Sequence, residues 1–157
     1  MYSRILVPHD GSSFAEQVLP HAVDIAKRFE AEIHLLEVIT PPNPAVYSSD
    51  LEGGAGAPLA IEAIDEAQEE LRRQGRERLQ ALADDLGKQG IKTVWTVTEG
   101  DPAHEIVSYG NSNNIDLIAM ASHGRTGFVR AILGSVTDAV LRNAGHPILV
   151  IKASETQ

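Results

Sequence analysis

The chain has 157 residues, a formal net charge of −9 and no cysteine. This length suits one domain spanning residues 1–157. The lack of cysteine excludes disulfides, thiolate nucleophiles and cysteine-bound metals, and the negative charge argues against broad nucleic-acid binding. No apolar run approaches the roughly 18 residues of a membrane span, and the first residues do not have the pattern of a signal peptide. We therefore expect a cytoplasmic protein without membrane insertion.

The first part of the chain alternates short apolar runs with helical periodicity. Residues 5–7 form an apolar run that predicts a buried strand. Ser13 and Glu16 have the spacing of a capping box, which predicts one continuous helix over residues 13–30. The apolar run at residues 31–39 then predicts a second strand.

The middle of the chain begins with a segment rich in proline and glycine. Residues 40–58 show no periodicity, which predicts a long flexible loop. Residues 59–87 carry apolar side chains at helical spacing and predict a helix whose first turns project from the domain or fray. Gly75 lies on the apolar stripe of that helix, where it indicates close packing or a bend.

The last part of the chain continues the alternation. Residues 91–99 are β-branched and alternate, which predicts a strand more exposed than the others. Asp101 and Pro102 have the residue types of an N-cap and a first helical position. The remaining predicted elements are a helix to about residue 113, a strand at 115–121, a helix at 135–143 and a strand at 148–151.

The order of elements predicts the fold class. Strands that alternate with helices, and that are mostly continuous apolar runs, favour a parallel sheet covered on both faces. We therefore predict a flavodoxin-like, doubly wound α/β fold with five parallel strands. Ligands of such sheets bind beyond the carboxyl ends of the strands, where the strand order reverses.

A glycine-bearing loop follows the fourth predicted strand. Gly124 and Gly127 come directly after that strand, and Gly134 with Ser135 opens the next helix. Glycines allow the backbone to approach a phosphate closely, and the first turn of a helix leaves N–H groups unpaired. Arg125 adds local positive charge. We interpret this layout as a phosphate site, with Ser135 also forming a capping pair with Asp138.

The sequence resembles the universal stress protein family, in its ATP-binding, single-domain type. The resemblance covers nearly the whole chain, in the family's order. It rests on Pro8, Asp10, Gly100–Asp101–Pro102, Asp116–Leu117–Ile118, Ser122–His123–Gly124–Arg125, Gly134–Ser135 and Pro147–Ile148–Leu149–Val150. ATP-binding members carry G-x-x-G-x9-G-[S/T], of which Gly124 and Gly134–Ser135 match. Ala121 stands where the pattern has its first glycine, and Gly127 is an additional glycine.

This resemblance implies a binding site for ATP, or for AMP or another adenine nucleotide, with Mg²⁺. Val38 would line the adenine pocket beside Pro8 and Met120, and Asp10 would reach the ribose or the metal. The ribose and phosphates would be held by Ala121, Gly124, Gly134, Ser135, Val136 and Thr137. His9, His123, Arg125 and Gly127 complete the candidate set, because they lie at the same strand ends. The family also implies a homodimer formed through residues 148–151, which would otherwise be an apolar edge strand.

Three rival functions are weighed against this one. Gly124–Arg125–Thr126–Gly127 fits the loop of an RNA-binding KH domain, but that loop joins two helices, whereas this one follows a strand. An enzyme lacks support, because there is no Walker loop, no dinucleotide fingerprint and no third metal ligand beside His9 and His123. A dimeric regulatory module without nucleotide stays open because of Ala121. We predict an ATP- and Mg²⁺-binding stress-response or signalling module with little or no hydrolysis; a slow ATPase is the remaining alternative.

Overall fold

The computed structural model describes residues 1–42, 57–122 and 133–153. Five strands form one parallel sheet in these ranges. They are β1 (Arg4–Pro8), β2 (Glu32–Ile39), β3 (Thr93–Glu99), β4 (Leu117–Ser122) and β5 (Ile148–Lys152). Five helices connect them: α1 (Ser13–Glu16), α2 (Leu19–Phe29), α3 (Ala57–Lys88), α4 (Pro102–Ser112) and α5 (Ser135–Asn143).

The strand order in the sheet is β3-β2-β1-β4-β5, and every pairing is parallel. The predicted doubly wound, flavodoxin-like fold is therefore confirmed. The chain first adds β2 and β3 on one side of β1 and then places β4 and β5 on the other side. The order of the strands thus reverses between β1 and β4, whose carboxyl ends flank the crevice where such folds bind ligands.

The first predicted helix is wrong in one respect, because the chain forms two helices instead of one. Ser12, and not Ser13, is the N-cap of α1, and its Oγ accepts a hydrogen bond from the Ala15 N–H at 3.2 Å. A continuous helix would need Pro20 to donate to the carbonyl of Glu16, four residues earlier. Proline has no N–H and its ring clashes with that carbonyl, so α1 ends at Glu16 and α2 begins at Leu19.

The sheet is covered by an apolar core on each face. One face packs against α2 and α3, and its buried side chains include Ile5, Val7, Ile33, Leu35, Leu79, Leu117, Ala119 and Ala121. The other face packs against α4 and α5, with Leu6, Leu36, Ile106, Ile118, Met120 and Val140. Successive strand residues alternate between the two faces. The continuous apolar runs of the central strands follow from this two-sided burial.

The long helix α3 is buried only in its second half. It has 32 residues, which corresponds to a length of about 48 Å. Leu79 and Leu86 are buried in the core, whereas Ile61 and Leu71 are about half exposed. The first turns therefore extend beyond the core, as predicted, and the helix passes through Gly75 without ending. Because α3 begins at Ala57, the loop expected at 40–58 is shorter than predicted, and residues 43–56 of it lie outside the described ranges.

The edge strand β3 is only partly buried along most of its length. It is more exposed than the three central strands, as predicted, but β5 at the other edge is also only partly buried.

Candidate functional site

The turn that follows β1 is held together by its own polar groups. The backbone N–H of His9 donates to the Leu36 carbonyl at 2.8 Å, which extends the β1–β2 pairing by one residue. The Gly11 N–H donates to His9 Nδ1 at 3.0 Å. Asp10 Oδ1 accepts from both the N–H and the hydroxyl of Ser12, at 3.0 and 2.6 Å. The turn 9–12 is therefore a built loop at the carboxyl end of β1, with the exposed Asp10 at its tip.

His9 belongs to this turn as a structural residue. Its side chain is 3% exposed, and burial lowers its pKa, with the negative charge of Glu37 opposing that shift. Because Nδ1 accepts the hydrogen bond from Gly11, the proton of the neutral imidazole resides on Nε2. The other histidine expected at these strand ends, His123, lies outside the described residues.

The carboxyl end of β4 is tied to the first turn of α5. Thr137 is buried, and its hydroxyl donates to the Ala121 carbonyl at 3.0 Å. This bond fixes the amino end of α5 directly beside the end of β4. Two candidate residues that are sixteen positions apart in the sequence are thus joined, one by its side chain and the other by its backbone.

The predicted capping role of Ser135 is wrong. Gly134 occupies the N-cap position, Ser135 is the first helical residue, and no side chain of the described residues caps α5. Asp138 instead pairs with Arg142, at 2.9 and 3.2 Å. The helix begins one residue earlier than a Ser135 cap requires. Ser135 is exposed, and the first N–H groups of α5 have no side-chain acceptor in the described part of the chain.

An apolar wall lies on the α4–α5 side of the same edge. Met120 is part of the buried cluster on that face, and Val38 and Val136 pack against it. Pro8 is partly buried at the end of β1, in register with Leu36. By the alternation of β1, Pro8 points to the same face as Leu6. Four candidate residues that are distant in sequence therefore share one face near the carboxyl ends of β1, β2 and β4.

Ala121 directs its methyl group away from this wall. Its side chain belongs to the cluster on the α2–α3 face, opposite Met120. Its backbone does not have a positive φ, since the non-glycine residues with positive φ among those described are Glu30 and Asn114. The alanine in place of the motif glycine thus neither strains the strand nor fills the α4–α5 side of the crevice.

Part of the candidate set is not described. His123, Gly124, Arg125 and Gly127 fall within residues 123–132, so their predicted roles stay predictions. Of the other candidates, Pro8, His9, Asp10, Ala121, Gly134 and Thr137 all lie at the switch point between β1 and β4.

The sequence reasoning missed an ion pair beneath the turn. Glu37 is a buried side chain of β2, and its Oε1 accepts a hydrogen bond from Arg78 Nη1 of α3 at 2.5 Å. A signal for it exists, because Glu37 is a charge inside the apolar run of β2, and a buried carboxylate needs a cationic partner. Which of the arginines of α3 serves as the partner depends on how the helix packs.

Two further observations bear on the kind of site. Within the described ranges, no group of three or more His, Asp or Glu side chains is arranged to hold a metal ion. None of the helices searched in those ranges has the length and apolarity to cross a membrane.

Comparison with known proteins gives one consistent family. The model of the universal stress protein family matches residues 1–152. The universal stress protein MJ0531 of Methanocaldococcus jannaschii is 35% identical over 154 residues, covering 97% of this chain and 83% of that protein. The universal stress protein YxiE of Bacillus subtilis is 30% identical over 152 residues, covering 97% and 100%.

Solved structures agree in fold. The structure of MJ0577, described as a structure-based assignment of biochemical function, aligns with a TM-score of 0.80 at 28% identity over 99% of both chains. A universal stress protein in complex with cAMP aligns with a TM-score of 0.59 at 22% identity, covering 98% of each chain. The universal stress protein of Archaeoglobus fulgidus in complex with dAMP aligns with a TM-score of 0.62 at 20% identity, covering 96% of this chain and 98% of that one. Because their sequence identities are this low, the cAMP and dAMP complexes show only that this chain shares their fold.

Proposed function

Because this chain belongs to the universal stress protein family, we propose that it binds an adenine nucleotide, chiefly ATP with Mg²⁺, at the carboxyl ends of β1 and β4. The protein acts as a homodimeric stress-response or signalling module in the cytoplasm, with residues 1–157 as one domain. Adenine nucleotides are named for two proteins of the same fold, and they set the ligand class of this proposal.

The main support is the joining of a helix amino end to an apolar wall at the switch point. The hydrogen bond from Thr137 to the Ala121 carbonyl holds the amino end of α5 at the end of β4. Met120, which precedes Ala121, belongs to the apolar face on which Val38 also packs. An adenine nucleotide has a flat apolar base and an anionic tail, so it needs a wall and an anion site side by side.

The phosphates would be held by the amino end of α5. The first N–H groups of a helix carry a partial positive charge and lack intrahelical partners. Those of α5 have no side-chain cap among the described residues, and Ser135 adds an exposed hydroxyl beside them. The negative charge of Asp138 is paired with Arg142, which reduces its repulsion of a phosphate. Gly124, Arg125 and Gly127 would complete this part of the site.

Magnesium would enter with the nucleotide. Mg²⁺ prefers oxygen ligands and is commonly bound through one or two carboxylates together with substrate phosphates. Asp10 is exposed at the end of β1 and offers a carboxylate there. The chemistry of this donor fits the metal, and the metal would neutralise phosphate charge beside it.

We propose little or no hydrolysis of the bound ATP. Hydrolysis needs a group that positions the attacking water. His9 is buried, and its Nδ1 already accepts a hydrogen bond from Gly11, so its ring does not offer an exposed base. Asp10 would be engaged by the metal, and its Oδ1 accepts two hydrogen bonds from Ser12.

The homodimer would form through β5. This strand is at one edge of the sheet, and Ile148, Leu149, Val150 and Ile151 are all partly exposed. An apolar edge strand with unpaired backbone groups is prone to pair with another strand. Pairing of β5 with its copy around a two-fold axis would remove both edges at once.

Titration calorimetry with MgATP tests the binding site through Gly134. The change Gly134→Val places a branched side chain at the N-cap of α5, so we expect binding to be abolished while the fold is retained. Gly145→Val is the matched control, because Gly145 follows α5 at its other end and has open space for a Cβ. Wild-type affinity in Gly134→Val would show that the nucleotide binds at another place on the protein. A wild-type chain that shows no saturable binding up to millimolar MgATP would favour the module without nucleotide.

A further inference from the structure

A polar cluster, in which two side chains are buried and Arg78 is partly exposed, lies beneath the turn 9–12 on the α2–α3 side of the sheet. It joins three elements: His9 after β1, Glu37 of β2 and Arg78 of α3. His9 and Glu37 are 3% and 8% exposed. Polar groups buried to this extent are costly unless they are paired, and the hydrogen bond between Arg78 and Glu37 offsets part of that cost.

Arg78 contacts the turn through its guanidinium plane. Gly11 has φ +77°, and a Cβ built on it would lie 2.8 Å from Arg78 Cζ and 3.0 Å from Nη1. The guanidinium therefore lies directly against Gly11, and a side chain at this position would displace it. The Gly11 N–H in turn donates to His9 Nδ1. The residue next to Asp10 is thus held from below by a helix that is far away in sequence.

Glu37 fixes the position of that guanidinium. Its Oε1 accepts the hydrogen bond from Arg78 Nη1 at 2.5 Å. Gly75, one turn before Arg78, makes room for the carboxylate, because a Cβ there would be 3.2 Å from Glu37 Cδ and Oε1. Charge-assisted bonds of this kind are short and directional. The carboxylate therefore anchors one edge of the guanidinium, and the plane of the guanidinium supports Gly11.

We propose that Arg78 is a positioning residue for the nucleotide site, which holds the turn 9–12, and with it Asp10, in the conformation that the nucleotide meets. This inference rests on the proposed function. It assigns to α3 a role in the site, although none of the described side chains of α3 belongs to the apolar wall. The competing explanation is that Arg78 only neutralises the buried charge of Glu37.

Two changes at Arg78 separate these explanations. Arg78→Lys keeps a positive charge near Glu37 but lacks the flat guanidinium that covers Gly11. Arg78→Met combined with Glu37→Gln removes both charges, so no buried carboxylate stays unpaired. Arg76→Met is the matched control, because Arg76 is on the same helix and its exposed ion pair is with Glu69 instead.

The amide signal of Gly11 in a ¹⁵N-labelled protein is measured first, without nucleotide. We expect it to shift in both Arg78 variants and to stay unchanged in Arg76→Met. Affinity for MgATP is then measured by calorimetry. We expect at least a tenfold loss in Arg78→Lys and in the double variant, and less than a twofold change in Arg76→Met.

Different results would overturn the role of Arg78 and the proposed function. Unchanged Gly11 signals in both Arg78 variants overturn the proposal, as does wild-type affinity in the double variant, because Arg78 would then serve only to neutralise Glu37. A wild-type chain that does not bind MgATP overturns the proposed function, and the Gly11 signal alone then decides whether Arg78 positions the turn. If Arg78→Lys does not fold, the charge-free double variant decides the question.

Discussion

At the scale of single residues, buried polar side chains connect elements across the sheet. His34 of β2 is the clearest example. Its Nδ1 lies 3.0 Å from the hydroxyl of Tyr109 in α4, and its Nε2 lies 2.7 Å from Glu32 Oε1. The His34 side chain is buried, and both of its ring nitrogens have a hydrogen-bonding partner. Both ring nitrogens are used, so the residue holds α4 to β2 and does not serve as a ligand.

One contribution to the pH dependence of stability comes from His34. Burial lowers the pKa of His34 below its ordinary value of 6.5, although Glu32 opposes the shift. At pH values between the folded and the unfolded pKa of His34, the unfolded chain binds more protons than the folded chain. The contribution of His34 to the free energy of unfolding is therefore fully present above about pH 6.5 and is lost as the pH falls through the folded pKa. We expect wild-type stability to decrease from pH 7.5 to 5.5, and the decrease to be smaller in His34→Gln.

The measurement is the free energy of urea unfolding at several pH values. His104→Gln is the control, because His104 is exposed on α4 and its loss leaves the contribution of His34 in place. Identical pH profiles for wild type and His34→Gln would contradict this assignment.

At the scale of elements, helix boundaries depend on features that periodicity does not carry. Pro20 divides the first predicted helix because it cannot donate to Glu16, and its effect is visible in the sequence once the i−4 rule is applied. The start of α5 at Ser135 matches the prediction, whereas the cap does not, because Gly134 occupies the N-cap. The periodicity of apolar residues shows which side of a helix faces the core. The residues at which a helix begins and ends depend instead on which backbone N–H and C=O groups have hydrogen-bonding partners.

Glu37 leaves little room for a side chain at Gly75 of α3. This close contact gives a prediction for the stability of the protein. Alanine is about 1 kcal/mol more favourable than glycine in a helix interior. At Gly75, however, an added Cβ lies 3.2 Å from a carboxylate that Arg78 holds in place. We expect Gly75→Ala to lower the free energy of unfolding by about 1 kcal/mol, since the strained contact outweighs the gain in propensity.

Gly87→Ala is the matched control on the same helix, since nothing lies within 4 Å of a Cβ at Gly87. We expect this change to raise the free energy of unfolding by about 0.5–1 kcal/mol. Denaturant unfolding of both variants checks the pair. A gain in stability for both would show that Glu37 can move aside at little cost.

At the scale of the whole molecule, the sheet has two different edges. β3 forms one edge and carries polar residues between its apolar ones, whereas β5 reads Ile148–Leu149–Val150–Ile151 without interruption. Threonines and the terminal Glu99 make the β3 edge more compatible with water. The uninterrupted apolar edge is the one on which a second copy of the chain would gain most by pairing.

The proposed dimer predicts a different response at the two edges. Val150→Lys puts like charges beside each other across the two-fold axis of a β5 pair, so we expect a monomer. Val94→Lys makes the same change on β3, where Val94 is 38% exposed, and we expect it to stay a dimer. Light scattering after size exclusion measures the mass against twice the chain mass of 16.9 kDa. A wild-type monomer, or a Val150→Lys dimer, would contradict pairing through β5.

The sequence by itself determined the fold class and the alternation of strands and helices, and it predicted the region of the candidate site. These follow from local information: apolar runs long enough for buried strands, helical spacing of apolar residues, and glycine or proline at the turns. Parallel strands then place their carboxyl ends on one edge, so Pro8, Asp10 and Met120 were expected near each other before any coordinates. For the described candidates, the structure agrees with this placement.

Only the tertiary structure decided how side chains from distant segments combine. The hydrogen bond from Thr137 to Ala121, the methyl of Ala121 on the α2–α3 face, and the contact of Arg78 with Gly11 all depend on helix packing against the sheet. Arg78 is one of several arginines on α3, and the sequence does not distinguish it from Arg76. The reason is physical: local patterns fix which face of an element is buried, whereas the partner of a buried charge is set by the rotation and position of the packed helix.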